Sequence, residues 1–160
     1  MHRLLLMACL ALFGSGAEAA RILYAGPQWA ALERAPGRCE AVGQAERVAP
    51  RLEQQARMAF AFTTDGRRRG ELHVRLPRPA RPGAQALLTI GGQSFLLLTR
   101  GQDAWSRGPA QEQAIIAALR QATELRIRAQ AVGGRVSDRY LLAGAPTAID
   151  AAATACAPAG

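Results

Sequence analysis

Lysine is absent from this chain of 160 residues: all twenty basic side chains are arginine, against twelve acidic ones. A GC-rich coding sequence accounts for that bias and for the surplus of alanine, glycine and proline. A demand for guanidinium chemistry is the competing reading. Histidine is nearly as scarce, with only His2 and His73, and cysteine occurs at Cys9, Cys39 and Cys156. These shortages exclude several chemistries. One interior histidine and two distant cysteines form no cluster with zinc spacing. Ser94, Ser106 and Ser137 lie outside any Gly-x-Ser-x-Gly elbow, so a triad built on His73 lacks its usual setting. Gly91-Gly92 and Gly133-Gly134 open no helix and precede no Lys-Ser/Thr, so neither is a phosphate loop. No two acids stand out as a glycosidase pair. The sequence therefore reads as having no catalytic residues, no metal site and no cofactor.

A bilayer-spanning apolar run is missing too. Leu4 to Phe13 covers about half of the roughly 20 residues that a spanning helix needs. His2 and Arg3 precede it, and Gly14-Ser15-Gly16 and Ala17-Glu18-Ala19 follow it. That order is a secretory signal peptide over residues 1–19, cleaved after Ala19. Cys9 sits inside the apolar run and not after it, which argues against a lipoprotein. Residues 20–160 then form one soluble β-rich domain, periplasmic or secreted and without a transmembrane segment. Removal of the leader leaves Cys39 and Cys156 as a lone pair in an oxidising compartment, where such a pair bridges.

The net charge of +8 favours anionic surfaces such as lipid phosphates or cell-wall polymers. No basic motif interleaved with aromatics is present, so nucleic acid is not an expected partner.

The patterning of the remaining residues is mostly that of strands. Met58, Phe60 and Phe62 share one face at period two, and Asp65-Gly66 turns the chain into a strand alternating Leu72, Val74 and Leu76 with Glu71, His73 and Arg75. Pro77, Pro79 and Pro82 end it. Leu87–Ile90 and Phe95–Leu98 flank Gly91-Gly92 as a second hairpin, apolar enough to predict strands covered on both faces. Leu125–Ala129 and Val136–Leu142 flank Gly133-Gly134 as a third. Pro109 starts a helix whose stripe is Ile115, Ala118, Leu119 and Ala122. A second helix from about Pro146 to Cys156 turns Ile149, Ala152, Ala153 and Cys156 inward. The expected fold class is α+β: mainly an antiparallel β-sheet or sandwich with two short helices, the second closing the C-terminus.

Candidate binding residues lie on the polar strand faces. Arg67, Arg69 and Arg75 share a face with His73, and Arg126 and Arg128 line another strand. Were those strands neighbours, they would make a guanidinium patch for phosphate or carboxylate. A solvated sheet face is the plainer reading. Trp105, placed in a loop before the first helix, either anchors a partner or packs on the core.

Several features taken in order resemble the invasion-associated locus B family of bacterial envelope proteins. Gln28-Trp29-Ala30 precedes Arg38-Cys39-Glu40, and a proline-bounded segment from Pro77 to Gly83 leads into a hairpin. Asp138-Arg139-Tyr140-Leu141-Leu142-Ala143-Gly144 then runs into the Ala148-Ile149 helix and Cys156. Many members have further mid-chain cysteines, where this chain has Trp105. The resemblance implies export, a β-rich fold, in some members a link to invasion of host cells, and no catalytic residues to carry over. The functional expectation is a non-enzymatic envelope protein that binds a protein or an anionic envelope component. The alternative is a small inhibitor of a periplasmic or foreign hydrolase, presenting Trp105 to Pro109 or Arg78 to Pro82 as its loop. A hydrolase of unrecognised type is the third reading.

Overall fold

The computed structural model of the protein describes residues 19–51 and 53–159. The expected leader, apart from Ala19, and Cys9 within it lie outside the described residues. Ten strands and two helices follow in order: β1 (Arg21–Ala25), β2 (Trp29–Ala35), β3 (Arg38–Gln44), β4 (Arg57–Thr63), β5 (Arg69–Arg75), β6 (Ala86–Ile90), β7 (Gln93–Arg100), β8 (Asp103–Trp105), α1 (Pro109–Leu119), β9 (Glu124–Ala131), β10 (Gly134–Leu141) and α2 (Ala145–Ala155). The class is α+β. Every ladder is antiparallel, and the strands form one sheet ordered β1-β2-β3-β4-β5-β8-β7-β6-β9-β10.

The proline segment explains the break in sequential order. After β5, Leu76 donates its N–H to Gln102 O, Ala80 to Gly101 O and Arg81 to Gln130 O. The chain is thereby carried past two strand positions, which β7 and β8 fill on the way back. The sheet also rolls towards closure. Glu46, beyond β3, donates its N–H to Arg139 O at 2.8 Å, and the Trp29 indole donates to Leu141 O at 2.9 Å. The first and last thirds of the chain thus meet along β10.

One hydrophobic core fills the inside, drawn from Trp29 through Phe60, Leu88 and Ile127 to Cys156. The three expected hairpins supply much of it: Met58, Phe60, Leu72, Val74, Leu88, Leu97, Leu125 and Ile127 are all buried. Both helices lie on this inner side. α1 packs on β5, β6 and β7, and α2 packs chiefly on β2 and β3. α2 buries Ala145, Ala148, Ile149 and Ala152, three of them alanines, against β2 and β3, whose buried positions include the equally small Ala31 and Ala41. At its end, Cys156 is bonded to Cys39 of β3 with Cα atoms 5.8 Å apart, so the expected disulfide is formed. α1 ends at Leu119, one turn earlier than its stripe suggested, leaving Ala122 half-buried beyond it. No helix among the described residues is long and apolar enough to cross a membrane.

Two glycines permit these contacts. A Cβ on Gly70 would lie 2.7 Å from Ile116 Cδ1, and one on Gly43 would lie 2.6 Å from the Trp29 ring. Gly43 opposes Trp29 across the β2–β3 ladder, so its bare backbone is the floor on which the indole lies.

Candidate functional site on the outer face of the sheet

Residues directly opposite in an antiparallel ladder project to the same face. Tracing those pairs across the outer face gives a row Ala30–Val42–Ala59–His73–Trp105–Leu98, which crosses β2, β3, β4, β5, β8 and β7. Its centre is a cluster that the sequence did not reveal. Asp103 accepts from both ends of its neighbours: Arg75 Nη1 lies 2.8 and 2.7 Å from the two carboxylate oxygens, and His73 Nε2 lies 2.8 Å from Oδ1. The His73 ring stacks on Trp105 with centroids 5.5 Å apart and planes at 24°. Partial burial pushes the Asp103 carboxyl up, but hydrogen bonds from Arg75 and His73 outweigh it and hold the group below its ordinary range. Asp103 therefore stays ionised, its charge offset by that of Arg75.

A His–Asp pair invites a search for a hydroxyl to activate. Ser106 faces the inner side, where its Oγ accepts from Leu72 N and donates to the buried Glu112. Ser94 opposes Thr89 across the β6–β7 ladder, and Ser137 opposes Arg128 on β10. None of the three lies in the row of His73.

To one side of the cluster the face dips into a trough of about 640 Å³ lined by Arg34, Glu40, Val42, Arg57, Ala59 and His73. Arg34 and Glu40 are paired across it. To the other side the face becomes apolar. Leu87 opposes Leu96, and Leu98 opposes Trp105; Leu96 and Leu98 are 45% and 50% exposed. This corrects the expectation that β6 and β7 are covered on both faces. Ala86, Leu88 and Leu97 meet the core, while among the described residues no helix covers the alternate positions, which are exposed on β7 and half-buried on β6, because both helices lie inside. A continuous apolar run specifies no cover; only the placement of the helices does.

The arginines divide accordingly. β5 and β9 are separated by β8, β7 and β6, so Arg67, Arg69 and Arg75 do not join Arg126 and Arg128 in a single patch. Arg67 lies in the β4–β5 turn, 3.5 Å from Asp65, Arg69 donates to Gly66 O, and Arg75 is spent on Asp103. Arg126 is 3.8 Å from Glu124. Arg128 and Arg100 are exposed and in no ion pair among the described residues. The signal for Arg100 was its alternation with Leu98 and Leu96, which a doubly covered reading of β7 obscures.

Trp105 belongs to β8 and not to a loop, its ring flat on His73. The Arg78 to Pro82 segment is also pinned: Arg78 donates to Val132 O and Arg135 O, and Ala80 bridges Ala131. The one group of possible metal ligands among the described residues, Glu33 with Cys39 and Cys156, has both sulfurs committed to the disulfide and no thiolate to offer. Against this geometry, no family model, no curated protein and no solved structure matches the chain.

Proposed function

We infer that this is an exported envelope protein, related to the invasion-associated locus B family, that acts by binding an anionic component of the envelope and not by catalysis. The observation that carries the reading is the outer face of β7, β6 and β9. There, Arg128 and Arg100 form no ion pair among the described residues, although Arg100 opposes Asp103 across the β7–β8 ladder, because Arg75 and His73 already engage that carboxylate. A purely solvated face would alternate its charges, as β5 does with Glu71 and Arg75. Here positive charge is in excess: Arg126 has Glu124 beside it, but the guanidinium groups of Arg100 and Arg128, unpaired among the described residues, are available to phosphate or carboxylate. The leader and the disulfide support a working place outside the cytoplasm. The inhibitor reading requires a rigid apolar loop tip, whereas Trp105 lies within the sheet and the proline segment is tied to the β9–β10 hairpin.

The test is retention of the leaderless protein on isolated cell envelopes as salt rises from about 0.05 M to about 0.5 M, a range that shortens the Debye length severalfold. Binding should fall steeply and should weaken further in the R100Q/R126Q/R128Q variant. Retention indifferent to salt and to these substitutions would exclude electrostatic binding by this face.

A further inference from the structure

The apolar half of the outer face has no role in charge binding alone. Leu87 and Leu96 oppose each other across β6–β7, Leu98 follows Leu96 by two residues, and Leu98 opposes Trp105 across β7–β8. Strand alternation puts all four on one face, spanning about 10 Å from β6 to β8 at the usual strand spacing. Scattered exposed leucines carry no information, but a contiguous strip with a charged rim marks an interaction surface. The rim here is guanidinium. Arg128 opposes Leu87 and Arg126 opposes Thr89 on β9, and Arg100 follows Leu98 by two residues on β7. The nearby carboxylates are engaged: Asp103 by Arg75 and His73, and Glu124 by Arg126 at 3.8 Å and Arg139 at 3.2 Å.

We propose that this strip docks on an anionic lipid bilayer, with Leu87, Leu96, Leu98 and Trp105 meeting the boundary between headgroups and acyl chains and Arg100, Arg126 and Arg128 meeting lipid phosphates. The inference rests on the anionic-binding reading above and names its ligand. Charge complementarity selects the occupant. A soluble polyanion would satisfy the arginines and leave the leucines in water, whereas an anionic bilayer satisfies both at once. Arg100 and Arg128 also have no ion-pair partner among the described residues to fix their geometry, so they can follow a fluid array of phosphates, and each basic side chain near such a surface strengthens binding about fivefold. Neither the few leucines nor the few arginines suffice alone; together they give reversible attachment.

The test is co-sedimentation of the disulfide-bonded, leaderless protein with vesicles of phosphatidylcholine alone or mixed with phosphatidylglycerol, run beside binding to soluble polyphosphate. The expected result is binding to the mixed vesicles and to polyphosphate but not to phosphatidylcholine alone, with vesicle binding weakened about tenfold or more in L96Q/L98Q and about fivefold per residue in R100Q/R128Q. L96Q/L98Q should keep its grip on polyphosphate. Brominated acyl chains should quench the emission of Trp105 in the unmutated protein, a readout that needs no variant to fold. Vesicle binding unchanged by L96Q/L98Q, or bound protein that brominated lipid does not quench, would overturn lipid docking. Salt-sensitive polyphosphate binding would in that case leave the anionic reading standing, and binding to neither ligand would remove both.

Discussion

Two aspartates illustrate how a residue's surroundings decide what its charge does. Asp103, half-buried on the outer face, is held ionised by Arg75 and His73. Asp138 of β10 is 3% exposed, and its Oδ2 has no hydrogen-bond partner among the described residues. Burial pushes its carboxyl above the ordinary 3.8, Arg47 and Arg78 offset part of this, and Glu53 adds to it. The two make opposite contributions. The lowered group stabilises the fold above the unfolded-state value, and that contribution is lost as pH falls through the folded value. The raised group destabilises the fold at neutral pH and is relieved as pH falls through its folded value towards 3.8. Asp138→Asn should therefore raise the melting temperature at pH 7, and Asp103→Asn should lower stability by about 1 kcal/mol, the scale of a partly exposed pair. Both differences should close below the carboxyl range. Thermal melts of the two variants against pH check this, and a gain from Asp138→Asn that persisted in acid would assign its origin to packing instead of charge.

At the scale of elements, legibility followed side-chain size. The hairpins β4–β5, β6–β7 and β9–β10 were readable because large apolar residues alternate in them. β1, β2 and β3 were not, because the inward positions of β2 and β3 are filled by Ala31, Cys39, Ala41 and Gly43, whose periodicity is faint. They are small because α2 presses its own alanines against them and because Trp29 lies over Gly43. Gly43→Ala tests this packing. The added methyl would sit 2.6 Å from a ring that is itself anchored through its N–H to Leu141 O at 2.9 Å, so the ring cannot yield without losing that bond. The expected cost is about 1–3 kcal/mol in chemical denaturation, and an unchanged midpoint would mean that the indole moves freely. β8 was missed for another reason. Three residues carry no periodicity, and Asp103-Ala104-Trp105 becomes a strand only because β5 and β7 leave a gap of one strand.

At the scale of the whole molecule, the Cys39–Cys156 bridge spans 117 residues of sequence. Restricting so long a loop in the unfolded chain stabilises the fold by about 2–4 kcal/mol once strain is allowed for, or roughly 5–15 °C in a domain of this size. Its location makes the effect concrete, since α2 has 11 residues and so short a helix depends on docking. Reduction should lower the melting temperature by that amount and loosen α2 first in hydrogen exchange. On the export reading, intact mass of protein from an envelope fraction should begin at Ala20 and be lighter by two hydrogens than the reduced chain. Two free thiols in unreduced protein would contradict the bridge.

By itself, the sequence determined the class of fold, three hairpins, both helices and the pairing of the cysteines. Each follows from local chemistry: period-two and helical spacing, turn glycines, a proline at a helix start, and one cysteine near each end of the β-rich region. The tertiary structure decided which strands are neighbours and which faces are covered, because order in a sheet depends on long connections and not on the strands they join. That is why Arg75 and Arg128, alike in sequence, end with three strands between them, one paired with Asp103 and one in no ion pair among the described residues. It is also why Leu96 and Leu98, with the spelling of a buried strand, stand about half exposed: the two helices lie on the inner side, where the larger apolar surface is.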